Sequence, residues 1–101
     1  MSRDAITVII DNDLEELIPG FLENRKKDLL SLKEALVKQD HEVMQSIGHS
    51  LKGVGGGYGF EELSRLGAEV ENSAKAANLD LLEKLVGELD DYLSRVQVVF
   101  E

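Results

Sequence analysis

The 101-residue sequence contains no cysteine and no tryptophan, and it has a single proline and few aromatic residues. Without cysteine the chain cannot form disulfides, thiolate zinc sites or a cysteine nucleophile. No run approaches the roughly 18 apolar residues of a membrane-spanning helix, and the N-terminus lacks the pattern of a signal peptide. We therefore expect a cytoplasmic protein that does not contact a membrane.

Basic residues are also few, 11 against 20 acidic ones, and the net charge is −9. A surface of this sign repels phosphate backbones, so nucleic acid is not an expected partner. Histidine occurs at two positions, His41 and His49. Any chemistry that uses imidazole as a nucleophile or a metal ligand therefore has two candidates.

The scarcity of proline and the abundance of Leu, Glu, Lys and Ala favour helices, and apolar residues recur with helical spacing from about residue 13 to residue 95. A chain of this length makes one domain. We predict an all-α fold, an antiparallel up-and-down four-helix bundle with a short extra N-terminal helix. The predicted helices cover about 13–18, 19–38, 41–56, 60–77 and 80–95.

Side chains that accept backbone hydrogen bonds mark the predicted helix starts. Asp13 and Asp80 each have a glutamate three residues later, and Asp40 precedes the third helix, so all three are expected to be N-caps. Pro19 lacks a backbone N–H and fits the first turn of the long helix. Asn78 is expected to be a left-handed stop after the fourth helix.

The two chain ends, 6–10 and 96–100, are rich in β-branched and aromatic residues. They fit a small two-stranded ribbon, and they equally fit apolar extensions of the neighbouring helices. Segments this short do not let periodicity decide between the two interpretations.

The predicted helix over 41–56 carries the most informative residue. Its apolar positions are Val43, Ile47, Leu51 and Val54. They fall on one side of the helix, which places His49 on the opposite side, facing solvent. Most single histidines on a protein surface have no function, so whether His49 is functional must be judged from the residues around it.

Four residues share the outer face with His49: Gln45, Lys52, Gly53 and Gly56. Inside a helix glycine costs up to about 1 kcal/mol relative to alanine, and Gly53 and Gly56 are best tolerated where bulk would obstruct an approaching molecule. Lys52 places a cation beside the imidazole, where it can neutralise the charge of a phosphoryl group.

Glu71 is the candidate partner of His49 on the next helix. If the chain reverses near Tyr58, Glu71 lies within about one helical turn of the height of His49. A carboxylate there can accept the Nδ1–H, leave Nε2 free as a nucleophile and stabilise the positive charge that appears on attack. A solvated surface carboxylate is the alternative interpretation of Glu71, and Gln45 is the weaker candidate for the same role.

One motif comprises His49-Ser50-Leu51-Lys52-Gly53, with Gly59 ten residues after the histidine. It resembles the motif of histidine-containing phosphotransfer (HPt) domains of bacterial two-component phosphorelays, and the resemblance covers nearly the whole chain. It implies that His49 accepts the phosphoryl group, that Lys52 supplies the neighbouring positive charge, and that Gly53 lets a partner receiver domain dock. An acidic residue at the spacing of Glu71 looks like the histidine partner in several such domains.

No cofactor and no metal ion are expected. The glycine-rich segment matches neither the dinucleotide fingerprint nor a P-loop. His41 lies eight residues before His49, and further metal ligands at helical spacing are missing.

Our first hypothesis is a phosphoryl carrier that exchanges a phosphoryl group between His49 and the receiver-domain aspartates of response regulators or hybrid histidine kinases. Such a carrier is not an enzyme in the strict sense, because phosphoryl transfer depends on positioning and charge neutralisation and the receiver brings the metal. We expect it to act as a monomer.

Two alternatives stay open. One is a phosphoacceptor domain resembling that of the chemotaxis-type histidine kinases, although a chain that ends after one bundle is expected to be a free-standing carrier or an excised domain rather than a fused kinase. The other is an acidic helical interaction module that takes no part in phosphotransfer.

Overall fold

A computed structural model describes residues 4–101, so the first three residues of the predicted domain lie outside the described part. The elements in chain order are β1 (Ile6–Ile10), a 3₁₀ helix (Asn12–Leu14), α1 (Ile18–Lys38), α2 (His41–Tyr58), α3 (Glu61–Lys75), α4 (Leu79–Arg95) and β2 (Val96–Phe100). Each helix packs against the next, and α1 also packs against α4, which closes the ring. The predicted four-helix bundle is confirmed. Within residues 4–101, no helix has the length and hydropathy needed to span a membrane.

The two chain ends form the ribbon that was one of the two open interpretations. β1 and β2 pair in parallel, with Ile6 opposite Val96 and Ile10 opposite Phe100. Alternate residues pack against the bundle core, and those between them are exposed. An alternation of buried and exposed residues with a period of two is typical of a sheet with one face buried. β2 follows α4 directly, without a loop.

The short N-terminal helix predicted over 13–18 is present, but it begins one residue earlier and is shorter than predicted. A single 3₁₀ turn covers Asn12–Leu14, and the side chain that caps it is that of Asp11, which accepts from the N–H of Asp13 at 2.8 Å. The N–H of Asn12 bonds the carbonyl of Glu101, so the segment is tied to the end of the ribbon rather than to a helix. Pro19 lies in the first turn of α1, as predicted.

Of the N-caps predicted for α2 and α4, the first is confirmed and the second is wrong. Asp40 caps α2 by accepting a backbone N–H at 3.2 Å. Asp80 is not the cap of α4, because Asn78 accepts the N–H of Leu81 at 3.1 Å and Asp80 lies in the first turn. The left-handed residue after α3 is Ala77, with φ 53°, so the prediction for Asn78 is also wrong. The other helix bounds agree with the predictions to within two residues.

The buried face of α2 differs from the predicted one. Val43 is 41% exposed, whereas Met44 is fully buried. The buried positions of this helix are Met44, Gly48, Leu51 and Gly55. At about 100° per residue, the buried face is rotated by roughly 70° from the predicted one. The hydrophobic pattern missed it because two of its four members are glycines.

We expect Asn78→Ala to destabilise the protein more than Asp80→Ala. Loss of the cap leaves a backbone N–H without its acceptor and typically costs about 1 kcal/mol, whereas a first-turn carboxylate contributes about 0.3–1 kcal/mol through the helix dipole. Urea denaturation of the two variants measures the difference. A larger loss for Asp80→Ala would contradict the assignment of the cap.

Candidate functional site

Two glycines let the backbones of α2 and α3 touch beside His49. A Cβ atom built on Gly48 would lie 2.6 Å from the backbone nitrogen of Glu71, and one built on Gly67 would lie 2.5 Å from that of Lys52. Real Cβ atoms do not approach backbone atoms this closely, so no larger residue fits without moving a helix. We call this contact the glycine crossing. It brings Lys52 and Glu71, which lie on different helices, to the same place.

The carboxylate of Glu71 joins three side chains. Its Oε2 lies 2.9 Å from Nδ1 of His49, and its Oε1 accepts a hydrogen bond of 2.9 Å from Nζ of Lys52. The ammonium group of Lys75, one turn further along α3, lies 3.9 Å from Oε2. The side chain of Glu71 is 10% exposed, whereas that of His49 is 70% exposed. The site therefore consists of a sheltered carboxylate and an imidazole that projects into solvent.

The charge on Glu71 fixes which nitrogen of His49 carries the proton. The hydrogen bond from Lys52 lowers the pKa of Glu71 from its ordinary value, and the hydrogen bond from His49 acts in the same direction, against the opposing effect of burial. An ionised carboxylate has no proton to donate, so Nδ1 of His49 must be the donor. The neutral ring then carries its lone pair on Nε2, for which residues 4–101 supply no hydrogen-bond partner.

The other predicted residues lie around this group in different ways. Gln45 is half-buried and lines the same shallow concavity as His49, but the side chain that bonds Nδ1 is Glu71. Gly53 is exposed, and a Cβ there would meet nothing within 4 Å. A Cβ on Gly56 would make ordinary van der Waals contact with the hydroxyl of Ser64 at 3.7 Å. Open space for an approaching molecule is thus found at Gly53, and Gly56 faces α3.

Sequence reasoning missed several residues that build the site. Ser64 donates a 2.6 Å hydrogen bond from its hydroxyl to the carbonyl of Lys52, which ties α3 to α2 a second time. A serine in a helix usually bonds its own helix, so nothing in the sequence signals this contact. Gly48 lies one helical turn before Lys52 and Gly67 lies one turn before Glu71, so this spacing of small residues is the signal by which the sequence could have revealed them.

His41 lies at the start of α2, and its Nε2 atom is buried without a hydrogen-bond partner among the described residues. It takes no part in the group around His49. Across residues 4–101, no three histidine or acidic side chains are grouped so as to hold a metal ion.

A family model described as "Hpt domain" matches residues 16–98, which is most of the chain. Neither the comparison with curated proteins nor that with solved structures gave a match. The matched span includes all four helices together with His49, Lys52 and Glu71.

We expect Gly67→Ala to destabilise the fold by about 1–3 kcal/mol, because the added methyl group overpacks the glycine crossing. The matched control is Gly87→Ala on α4, where a Cβ meets nothing within 4 Å. There the gain in helix propensity should stabilise the protein by up to about 1 kcal/mol. Chemical denaturation of both variants provides the measurement, and effects of the same sign would contradict the close approach of α2 and α3.

Proposed function

Because the chain belongs to the Hpt family, whose members carry phosphoryl groups on histidine in phosphorelays, we propose that His49 is the phosphoryl-carrying residue. We further propose that it exchanges the group with the aspartate of a receiver domain, in a response regulator or a hybrid histidine kinase. The observation that supports this assignment best is the His49 ring, which is 70% exposed and is held at Nδ1 by a carboxylate. An imidazole held in this way presents an unprotonated Nε2 to an incoming phosphorus atom.

The reaction follows from this arrangement. The Nε2 lone pair forms a bond to phosphorus while the bond between phosphorus and the aspartyl oxygen breaks, and the electron pair of that bond leaves with the aspartate carboxylate. The Nδ1 proton stays on the ring, which becomes positively charged. Glu71 faces that charge from 2.9 Å and stabilises it. The same steps in reverse return the phosphoryl group to an aspartate.

In this proposal the partner contributes the metal-dependent part of the catalysis. Both carboxylate oxygens of Glu71 already lie within hydrogen-bond distance of other side chains, His49 and Lys52. We therefore assign the magnesium ion to the carboxylates of the receiver, and to this domain the presentation of a nucleophile. On this assignment the chain is a phosphoryl carrier rather than an enzyme.

The charge pattern of α2 supports a receiver domain as the partner. The chain has a net charge of −9, yet α2 contains a single acidic residue, Glu42, and a single basic residue, Lys52. An aspartyl phosphate in a carboxylate-lined site therefore meets little repulsion at this helix. Open space at Gly53, one turn after His49, lets the surface of the partner come close to the ring.

The test is transfer of label from a phosphorylated receiver domain to this protein. We expect an acid-labile, base-stable label on the wild-type chain and none on His49→Gln, because glutamine has no nucleophilic ring nitrogen. His41→Gln, which changes the other histidine, is the matched control and should still accept the group.

Label on His49→Gln at the wild-type level would contradict the proposal. Label that appears only with a kinase ATP-binding domain and ATP, and never with a phosphorylated receiver, would contradict the choice of receiver as donor.

A further inference from the structure

Two lysines flank the carboxylate of Glu71, and they are held differently. Nζ of Lys52 donates a 2.9 Å hydrogen bond to Oε1. Nζ of Lys75 lies 3.9 Å from Oε2, which is an ion-pair separation but too long for a hydrogen bond. The side chain of Lys75 is 54% exposed, so its flexible stem is free to move.

The two lysines also lie beside different oxygens. Lys75 is next to Oε2, the oxygen that accepts from Nδ1 of His49, whereas Lys52 is bound to the other oxygen. Glu71 and Lys75 are four residues apart on α3, which places them on the same face of that helix. The ammonium group of Lys75 therefore approaches the carboxylate at the oxygen that His49 also uses.

A phosphoryl group on Nε2 changes the charge balance of this group of side chains. It adds close to two negative charges near the ionised Glu71, and a cation must offset the repulsion. If Lys52 moved to the phosphoryl oxygens, Oε1 of the sheltered carboxylate would lose its hydrogen bond, which costs free energy. Lys75 can move without breaking a hydrogen bond, because it makes none to Glu71.

We propose that the ammonium group of Lys75 binds the phosphoryl group on His49 after transfer, while Lys52 keeps Glu71 in place. This inference rests on the proposed function, since it assumes that His49 carries the phosphoryl group. It assigns to Lys75 the neutralisation of phosphoryl charge that the sequence motif suggests for Lys52.

The experiment compares Lys75→Gln with Lys84→Gln, which removes the same charge from an exposed position on α4. Each variant is mixed with a phosphorylated receiver domain, and the ratio of phosphohistidine to phosphoaspartate is measured at equilibrium. We expect Lys75→Gln to shift this ratio toward the receiver by about two- to fivefold, the range of a partly exposed ion pair. Lys84→Gln should leave the ratio unchanged, and Lys75→Arg should restore it.

A second measurement separates this role from a structural one. The ¹⁵N chemical shifts of the His49 ring should be the same in Lys75→Gln and in the wild type, because Lys52 still holds Glu71. Equal effects of Lys75→Gln and Lys84→Gln on the ratio, or an altered tautomer in Lys75→Gln, would overturn the inference. If the wild type accepts the phosphoryl group and Lys75→Gln does not shift the ratio, this inference fails and the proposed function stands. If the wild type accepts none, both fail.

Discussion

The arrangement around His49 depends on the contact between the backbones of α2 and α3 at Gly48 and Gly67. A hydrogen bond from an imidazole to a carboxylate requires the two groups to lie within about 3 Å, and helices separated by ordinary side chains keep their axes 8–10 Å apart. The missing Cβ atoms let Gly48 approach the backbone of Glu71 and let Gly67 approach the backbone of Lys52. Glu71 then reaches both Lys52 and His49 from one sheltered position. Packing thus fixes the geometry of a site that is itself open to solvent.

The charges around His49 determine which nitrogen of its ring carries the proton. A carboxylate with little exposure is stable as an anion only when it is paired, and the hydrogen bond from Lys52 provides the pairing that lowers the pKa of Glu71. The anion in turn fixes the proton of His49 on Nδ1. The exposed imidazole is therefore oriented by a partner that solvent barely reaches, whereas a surface histidine without such a partner rotates and exchanges its tautomers. The close contact between α2 and α3 thus leads, through the Glu71 anion, to the chemistry proposed for the His49 ring.

Local patterns in the sequence predict the bundle and much of the site. Helical periodicity marks the four helices, and the spacing between His49 and Glu71 on either side of a reversal near Tyr58 brings them to a similar height. The errors arise where short-range signals compete. Asp13 and Asp80 match the capping pattern, but Asp11 and Asn78 lie closer to the true element starts. The buried face of α2 was misplaced because hydropathy gives no weight to Gly48 and Gly55. The parallel pairing of β1 with β2 and the bond from Ser64 to Lys52 join distant parts of the chain, so no local pattern reports them.

The orientation of His49 by Glu71 is tested by the tautomer of the His49 ring, which is measured from the ¹⁵N chemical shifts of the neutral imidazole. We predict a protonated Nδ1 and an unprotonated Nε2, because the Glu71 carboxylate accepts the hydrogen bond from Nδ1. A ring protonated mainly on Nε2 would show that Glu71 does not orient His49 and that Nε2 is not the free nucleophile.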